Sequence, residues 1–101
     1  MELFISGPEG APTKVELHKT PLSLGRSADN DLAYPQDPWL SRHHLSFERR
    51  EANWWLKDCN SRNGTVLNAT SLKEPQRLKG GDRIYAGHLT IEVRDASTET
   101  L

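Results

Sequence analysis

The sequence predicts an all-β domain, folded as a two-sheet antiparallel β-sandwich with little or no helix. Short segments alternate apolar and polar residues, as half-buried strands do. Clusters of Gly, Pro, Asn and Asp that favour turns separate these segments, and no stretch repeats apolar residues at helical spacing. Many short strands joined by frequent turns are typical of a β-sandwich.

The first part of the chain contains four candidate strands. Alternation predicts them at residues 3–5, 15–17, 22–25 and 32–34. The loop at 7–12 is dense in Gly and Pro. Between Arg26 and Leu40 most of the sequence is irregular, because Pro35 and Pro38 exclude a regular helix.

The central stretch is predicted to be a hairpin between two polar clusters. Strands at 45–48 and 54–57 are separated by a polar turn at 49–53. The first cluster, at 41–44, reads Ser-Arg-His-His, and the second, at 61–65, reads Ser-Arg-Asn-Gly-Thr. Because a hairpin returns the chain to its starting level, we expect the two clusters to become neighbours.

The last part of the chain predicts five more strands, the first two of which form a small hairpin. They lie at residues 66–68, 70–72, 76–78, 83–86 and 89–94. A Gly-Gly turn at 79–82 precedes the final pair, and the final strand alternates most regularly.

Length and composition fit one soluble domain. The 101 residues, 35% hydrophobic and 27% charged, suit a globular chain. We expect a single domain at 1–95, and a polar tail or the start of a linker at 96–101. No apolar run is long enough for a membrane helix, and no signal-peptide pattern follows Met1. The single cysteine, Cys59, agrees with a reducing compartment, so we expect a cytoplasmic protein.

The net charge of −1 predicts no general attraction to nucleic acid or to membranes. Any site for an anion must therefore be local. Three short polar segments, at 25–26, 41–44 and 61–65, contain the basic and hydroxyl side chains that such a site needs.

These segments resemble the forkhead-associated (FHA) domain family. The matching residues are, in order, Gly25-Arg26, Ser41-Arg42-His43-His44, Asn63-Gly64-Thr65 with Asn68, Gly81-Asp82 and Gly87. The likeness covers roughly residues 22–94, and five short motifs occur in the expected order and spacing. It implies an FHA/SMAD-like sandwich whose end loops bind a peptide that contains phosphothreonine.

The resemblance also implies roles for individual residues. Arg26 and Ser41 take the positions of direct phosphate contacts, and Asn63 that of the residue that holds the peptide backbone. Arg42 and Arg62 take positions of further phosphate or peptide contacts. Structural roles are implied for Gly25, His44 and Gly64. His44 is expected to be buried and to fix the Ser41 loop, with His43 directed toward solvent or peptide.

The chemistry of these side chains agrees with those roles. A phosphate carries about −1.5 to −2 charges and three strong acceptor oxygens, which a guanidinium fork and a hydroxyl donor match. Arg26 and Ser41 supply them. The Asn63 amide has both donors and an acceptor for a peptide backbone. A few such hydrogen bonds, less the cost of ordering the peptide, predict an affinity on the order of micromolar.

Simpler interpretations remain open for some residues. If Arg26 does not contact a phosphate, it is a solvated surface charge. In the same way, Ser41 would only cap a turn. Trp54 is expected in the core, whereas Trp55, on the opposite face, covers the sheet or meets a partner. Trp39 either anchors its loop or shapes peptide specificity.

A different function is also considered, namely a phospho-independent scaffold or dimerisation module that uses the sheet surface. The oligomeric state is left open.

An enzyme is not expected. Ser41, His44 and Asp58 are the residue types of a hydrolase triad, but no nucleophile-elbow pattern surrounds Ser41. The histidines and Cys59 show none of the usual metal-ligand spacings, so neither a metal nor a cofactor is expected.

Overall fold

The computed structural model describes residues 1–8 and 10–95, and the predicted tail at 96–101 lies outside the described residues. Eleven β-strands, and no helix, form within these two ranges. In chain order they are β1 (Glu2–Ser6), β2 (Thr13–Glu16), β3 (Leu22–Gly25), β4 (Leu32–Ala33), β5 (Leu45–Arg50), β6 (Asn53–Asp58), β7 (Thr65–Leu67), β8 (Thr70–Ser71), β9 (Gln76–Arg77), β10 (Arg83–Ala86) and β11 (Leu89–Arg94). Every predicted strand is present, and the predicted ends differ from these bounds by two residues at most.

The strands form two sheets, as the sequence predicts. One sheet has the order β2-β1-β11-β10-β7-β8, and the other has the order β4-β3-β5-β6-β9. The predicted antiparallel pairing holds for all pairs except β3 and β4, which run parallel. This pair joins only Leu24 with Leu32 and Gly25 with Ala33, so the loop between the two strands, not a long ladder, determines where β4 lies.

The core lies between the two sheets, and most of its side chains come from the inward-facing residues of the strands. The buried apolar side chains are Leu3, Ile5, Leu17, Leu22, Leu24, Leu40, Leu45, Phe47, Trp54, Leu56, Leu78, Ile84, Ala86, Leu89, Ile91 and Val93. Trp54 is among them, as predicted, and Trp55 on the opposite face is half-buried. The alternation in sequence therefore marks the buried face correctly.

The turn of the central hairpin is shorter than the sequence suggests. Five residues, 49–53, were expected to turn, but β5 continues to Arg50 and β6 begins at Asn53. Only Glu51 and Ala52 lie between them, and Glu51 adopts a left-handed conformation with φ of 58°. The prediction is wrong because the last residues of β5 are exposed. Exposed strand residues can be as polar as a turn, so their polarity does not show where the strand ends.

Substitution of a core leucine should test the inward face of β6. Leu56 is fully buried, so Leu56→Ala is expected to lower the free energy of unfolding by about 2–5 kcal/mol. Its neighbour Lys57 is exposed on the other face, and Lys57→Ala serves as the control, with a change within about 0.5 kcal/mol. Urea denaturation measures both values, and equal losses would contradict the assigned faces.

Candidate functional site

The β5–β6 hairpin brings the two polar clusters together at one end of the sandwich. Leu45 pairs with Asp58 in the ladder, and the Cys59 N–H donates a hydrogen bond to the His44 carbonyl at 2.9 Å. The loop before β5 and the loop after β6 therefore leave the sheet side by side. The neighbouring position that the sequence predicts for the two clusters is confirmed.

Ser41 connects these two loops through its hydroxyl group. The Arg62 backbone N–H donates to Ser41 Oγ at 2.9 Å. A hydroxyl has one hydrogen and two lone pairs, so this bond occupies an acceptor position and leaves the Ser41 hydrogen free to donate. Ser41 is half-buried, which keeps its hydroxyl accessible from the loop end.

The buried side chain of His44 connects the same two loops through hydrogen bonds. Its side chain is fully buried, with 0% of its surface exposed, as the sequence analysis expects. The Ser41 N–H donates to His44 Nδ1 at 3.0 Å, and His44 Nε2 lies 2.8 Å from the Gly64 carbonyl oxygen. Because Nδ1 accepts, Nε2 carries the hydrogen and donates to Gly64.

This arrangement does not form a hydrolase triad. Both ring nitrogens of His44 bond to backbone groups, so neither is directed at Ser41 Oγ. Asp58 accepts hydrogen bonds from Ser61 and Thr65 instead of orienting His44.

A third loop, between β3 and β4, approaches Ser41 through the backbone of Arg26. The Arg26 N–H donates to the Ser41 carbonyl at 2.9 Å, and Arg26 Nε donates to the Leu40 carbonyl at 3.1 Å. Arg26 is an exposed residue. It thus lies beside Ser41 with its guanidinium anchored through Nε.

Gly25 makes this approach possible. A Cβ atom at this position would lie 2.1 Å from the Arg42 carbonyl oxygen, which is far inside van der Waals contact. The strand and the loop can come this close only because Gly25 lacks a side chain. The requirement for glycine is steric, not conformational, since Gly25 is not among the residues with positive φ.

Asn30 is a supporting residue that the sequence did not single out. Its buried amide donates to the Arg42 carbonyl at 2.7 Å and to the Ser27 carbonyl at 2.8 Å, and its Oδ1 lies 3.2 Å from His43 Nδ1. It therefore holds the β3–β4 loop to the loop that precedes β5. The residues around Asn30 predict only a turn, because a buried Asn is indistinguishable from a solvated one in a polar segment.

Asn63 is exposed, and its side chain forms one hydrogen bond to the residues that the structure describes. Its Nδ2 donates to the Trp39 carbonyl at 2.8 Å, and Gly64, with φ of 84°, supplies the left-handed turn that follows. An amide group has two N–H donors and an acceptor oxygen. One N–H and the oxygen of Asn63 therefore remain available at the surface.

A second feature that the sequence did not reveal is the contact of Asp37 with His88. The buried Asp37 carboxylate accepts from the His88 backbone at 2.7 Å, from His88 Nδ1 at 2.9 Å and from the Trp39 backbone at 3.0 Å. Burial raises the pKa of Asp37, but these bonds outweigh it, so its pKa lies below the ordinary value. Asp37 thus joins the β10–β11 turn to the loop that precedes Ser41.

Trp39 is anchored in its loop, which is one of the two roles that the sequence left open. Its backbone is anchored on both sides, by Asp37 and by Asn63. Its ring is 58% exposed and contacts the His88 ring at a centroid distance of 4.9 Å. The structure therefore places a fixed, exposed aromatic surface next to Asn63.

Asp58 organises the loop that contains Arg62 and Asn63. Its carboxylate accepts hydrogen bonds from the Ser61 backbone, the Ser61 hydroxyl and the Thr65 hydroxyl. Burial raises the pKa of Asp58, but these bonds outweigh it and hold the pKa below its ordinary value. The hydrogen bonds that this carboxylate accepts thus come from the loop that follows it.

The described part of the chain contains no helix that could span a membrane. It also contains no group of three or more His, Cys, Asp or Glu side chains placed to hold a metal ion.

The loops of the β3–β5–β6 side therefore gather Arg26, Ser41, Arg42, Arg62 and Asn63 at one end, above the buried His44. Comparison with known proteins identifies this arrangement, since the family model described as FHA domain matches residues 22–87. The chain belongs to the FHA domain family. Its resemblance to that family, which the sequence motifs indicate, is confirmed.

Individual relatives agree with this assignment. The FHA domain-containing protein FhaB of Mycobacterium tuberculosis is 31% identical over 88 residues, which cover 85% of this chain and 56% of the relative. The chain thus spans about half the length of the curated FhaB relatives that it matches.

Solved structures show the same fold. One, from work on phosphothreonine-dependent FHA domain interactions, has a TM-score of 0.80 at 29% identity and covers 94% of this chain and 97% of its own. Another, the FhaA FHA domain complexed with the intracellular domain of another protein, has a TM-score of 0.78 at 30% identity, with 91% and 99% covered.

The close approach at Gly25 can be tested by adding one methyl group. Gly25→Ala places a Cβ against a backbone oxygen that cannot move independently, so we expect a loss of about 1–3 kcal/mol in the free energy of unfolding, or more. Gly7→Ala is the matched control, because the nearest atom to its Cβ would be 4.0 Å away. Thermal and urea unfolding measure the pair, and an unchanged Gly25→Ala protein would disprove the contact.

The role of Asp58 predicts a defined pH dependence. The pKa of Asp58 is lower in the folded state than in the unfolded chain, so its stabilising effect is complete above about pH 4 and is lost as the pH falls through the folded value. Asp58→Asn cannot titrate, so its stability should fall less between pH 5 and pH 2 than that of the wild type.

Urea denaturation across this pH range measures the difference. Glu74→Gln, at an exposed position, is the control and should follow the wild-type curve. An Asp58→Asn curve parallel to the wild type would show that this carboxylate is not the titrating group.

Proposed function

We propose that this FHA domain is a phosphothreonine-peptide-binding module that mediates phosphorylation-dependent protein–protein interaction. The observation that carries the proposal is the state of Ser41, whose Oγ accepts the Arg62 N–H and keeps its own hydrogen for an external acceptor. Arg26, an exposed residue, lies beside it with its guanidinium anchored through Nε. The relative studied for phosphothreonine-dependent interactions supports the choice of phosphothreonine.

A phosphate group matches the chemistry of this position. Its charge and its three acceptor oxygens favour a guanidinium together with a hydroxyl donor. Arg26 and Ser41 are already joined through the backbone, at 2.9 Å between the Arg26 nitrogen and the Ser41 carbonyl oxygen. Since both donors are held before the ligand arrives, little ordering of the protein opposes binding.

Asn63 is proposed to hold the backbone of the bound peptide. Its bond to the Trp39 carbonyl fixes the side chain, and its remaining N–H and oxygen are the pair that a peptide unit requires. His44, Gly25 and Gly64 support the site without contacting the ligand in this proposal. His44 is completely buried, and Gly25 lies under the Arg42 carbonyl.

The domain is proposed to be part of a larger signalling or regulatory protein that acts in the cytoplasm. FhaB from Mycobacterium tuberculosis extends beyond the matched region, and Cys59 is a free thiol, in keeping with a reducing compartment. Binding, not catalysis, is the proposed activity, because both nitrogens of His44 are occupied by backbone groups.

The sheet surface offers weaker support for a phospho-independent scaffold. Trp55 is the residue that such a surface would use, but the Arg50 guanidinium lies 5.2 Å from its ring centre, as in a cation–π contact. The indole is thus covered from within the same sheet, which favours the covering role over the partner-binding role.

Removal of the Arg26 guanidinium should abolish recognition of phosphate. Arg26→Ala is expected to weaken binding of a degenerate peptide library with a fixed phosphothreonine on the order of a hundredfold or more, because it removes at least two charge-assisted hydrogen bonds. Calorimetric titration measures the affinity, with the unphosphorylated library as a second ligand.

Arg49→Ala is the matched control, since Arg49 is exposed at the opposite end of the β5–β6 hairpin. It should bind as the wild type does, and thermal unfolding should show that both variants are folded. Equal wild-type binding of the phosphorylated and unphosphorylated libraries would refute the proposed function.

A further inference from the structure

The loop end carries more positive charge than one phosphate requires. Arg26, Arg42 and Arg62 are all exposed, and each is connected to Ser41 through the backbone. The Arg26 N–H bonds to the Ser41 carbonyl and the Arg62 N–H bonds to Ser41 Oγ, while Arg42 follows Ser41 directly. Three guanidinium groups therefore originate from positions in direct contact with one residue.

These three side chains form no ion pair within the described ranges 1–8 and 10–95. Of the five other arginines, Arg50 pairs with Glu48 while Arg83 and Arg94 pair with Glu92. Arg49 and Arg77 form no ion pair in these ranges either, but they lie on β5 and β9, away from Ser41. The arginines of the loop end are thus left without a carboxylate in the part of the chain that the structure describes, although they lie in a protein with more acidic than basic residues.

The nearest acidic side chains in sequence are directed elsewhere. Asp58 accepts bonds from Ser61 and Thr65 of its own loop. Asp29 lies 3.6 Å from His43 Nε2, on the side of the loop where Asn30 meets His43. Neither carboxylate forms an ion pair with an arginine of the loop end.

One phosphate cannot satisfy this set of donors. Each guanidinium has five N–H donors and a full positive charge. Among the residues that the structure describes, Arg26 alone of the three uses one of its donors within the protein, on the Leu40 carbonyl. A phosphate offers three oxygens and at most about two negative charges. When it binds Arg26 and Ser41, at least one guanidinium remains without a counter-charge.

We propose that this domain recognises a peptide with two anionic groups, namely the phosphate of phosphothreonine and a second acidic or phosphorylated residue close to it. The proposal rests on the proposed function and specifies its ligand further. Arg42 and Arg62 are the residues that meet the second group. Because adjacent residues of an extended peptide are about 3.5 Å apart, long arginine side chains rooted beside Ser41 reach an anion within about three residues of the phosphothreonine.

A positional peptide library provides the first test. Peptides with a fixed phosphothreonine and degenerate flanking positions are bound to the purified domain, and the retained peptides are sequenced. We expect enrichment of Asp, Glu or a phosphorylated residue at one or more positions within three residues of the phosphothreonine. No acidic preference at any of these positions would overturn the proposal.

The second test measures a ratio of affinities. Three peptides of the selected sequence are compared by fluorescence anisotropy: one with phosphothreonine and alanine at the selected position, one with glutamate there, and one with a second phosphorylated residue there. For the wild type we expect the better of the two doubly anionic peptides to bind at least about tenfold tighter than the singly anionic one.

The ratio should fall toward one in Arg42→Gln or Arg62→Gln, whichever contacts the second group, and should stay at the wild-type value in Arg49→Gln. A ratio that is equal in all four proteins overturns the proposal. Comparison of the glutamate peptide with the doubly phosphorylated peptide shows which source of negative charge is preferred, and a gain from either supports the proposal.

The two proposals fail in different ways. If the phosphothreonine library binds no better than the unphosphorylated one, the proposed function is wrong and the second anion site is wrong with it. If phosphothreonine is required but an acidic neighbour adds nothing, only the second anion site is wrong.

Discussion

The site depends on one buried histidine. His44 accepts the Ser41 N–H on one ring nitrogen and donates to the Gly64 carbonyl with the other, so it sets the distance between the loop before β5 and the loop after β6. Because the His44 side chain has no exposed surface, water does not compete for either hydrogen bond. The surface groups above it, Ser41 and Asn63, are therefore positioned by a contact that no ligand touches.

Hydrogen bonds between side chains and backbone groups connect the loops of the site. Asn30 binds the Arg42 carbonyl, Asp58 binds its own loop, and Asp37 binds the backbone of Trp39 and His88. This has an electrostatic consequence. Because none of these contacts uses an arginine side chain of the loop end, the positive charge of the site is not neutralised by the framework that shapes it, and it remains available for an anionic ligand.

Much of the fold and part of the site could be predicted from the sequence. Alternation located most of the strands because the longer ones bury one face, and the motifs around Arg26, Ser41 and Asn63 indicated the family. The hairpin turn was predicted too long, since the exposed end of β5 is as polar as a loop. Asn30 and Asp37 were missed because their roles depend on partners 12 and 51 residues away, and a single sequence carries no signal of such pairings.

The sequence by itself determined the all-β class, the positions of the strands and the short motifs, because these depend on local periodicity and on residue chemistry. Only the tertiary structure decided that Gly25 lies beneath the Arg42 carbonyl, that Ser41 Oγ accepts from Arg62 and keeps its hydrogen, and that the Trp39 carbonyl accepts from Asn63. The physical reason is that each of these is a contact between segments distant in the chain, and its geometry is fixed only when the two sheets pack and bring the loop ends together.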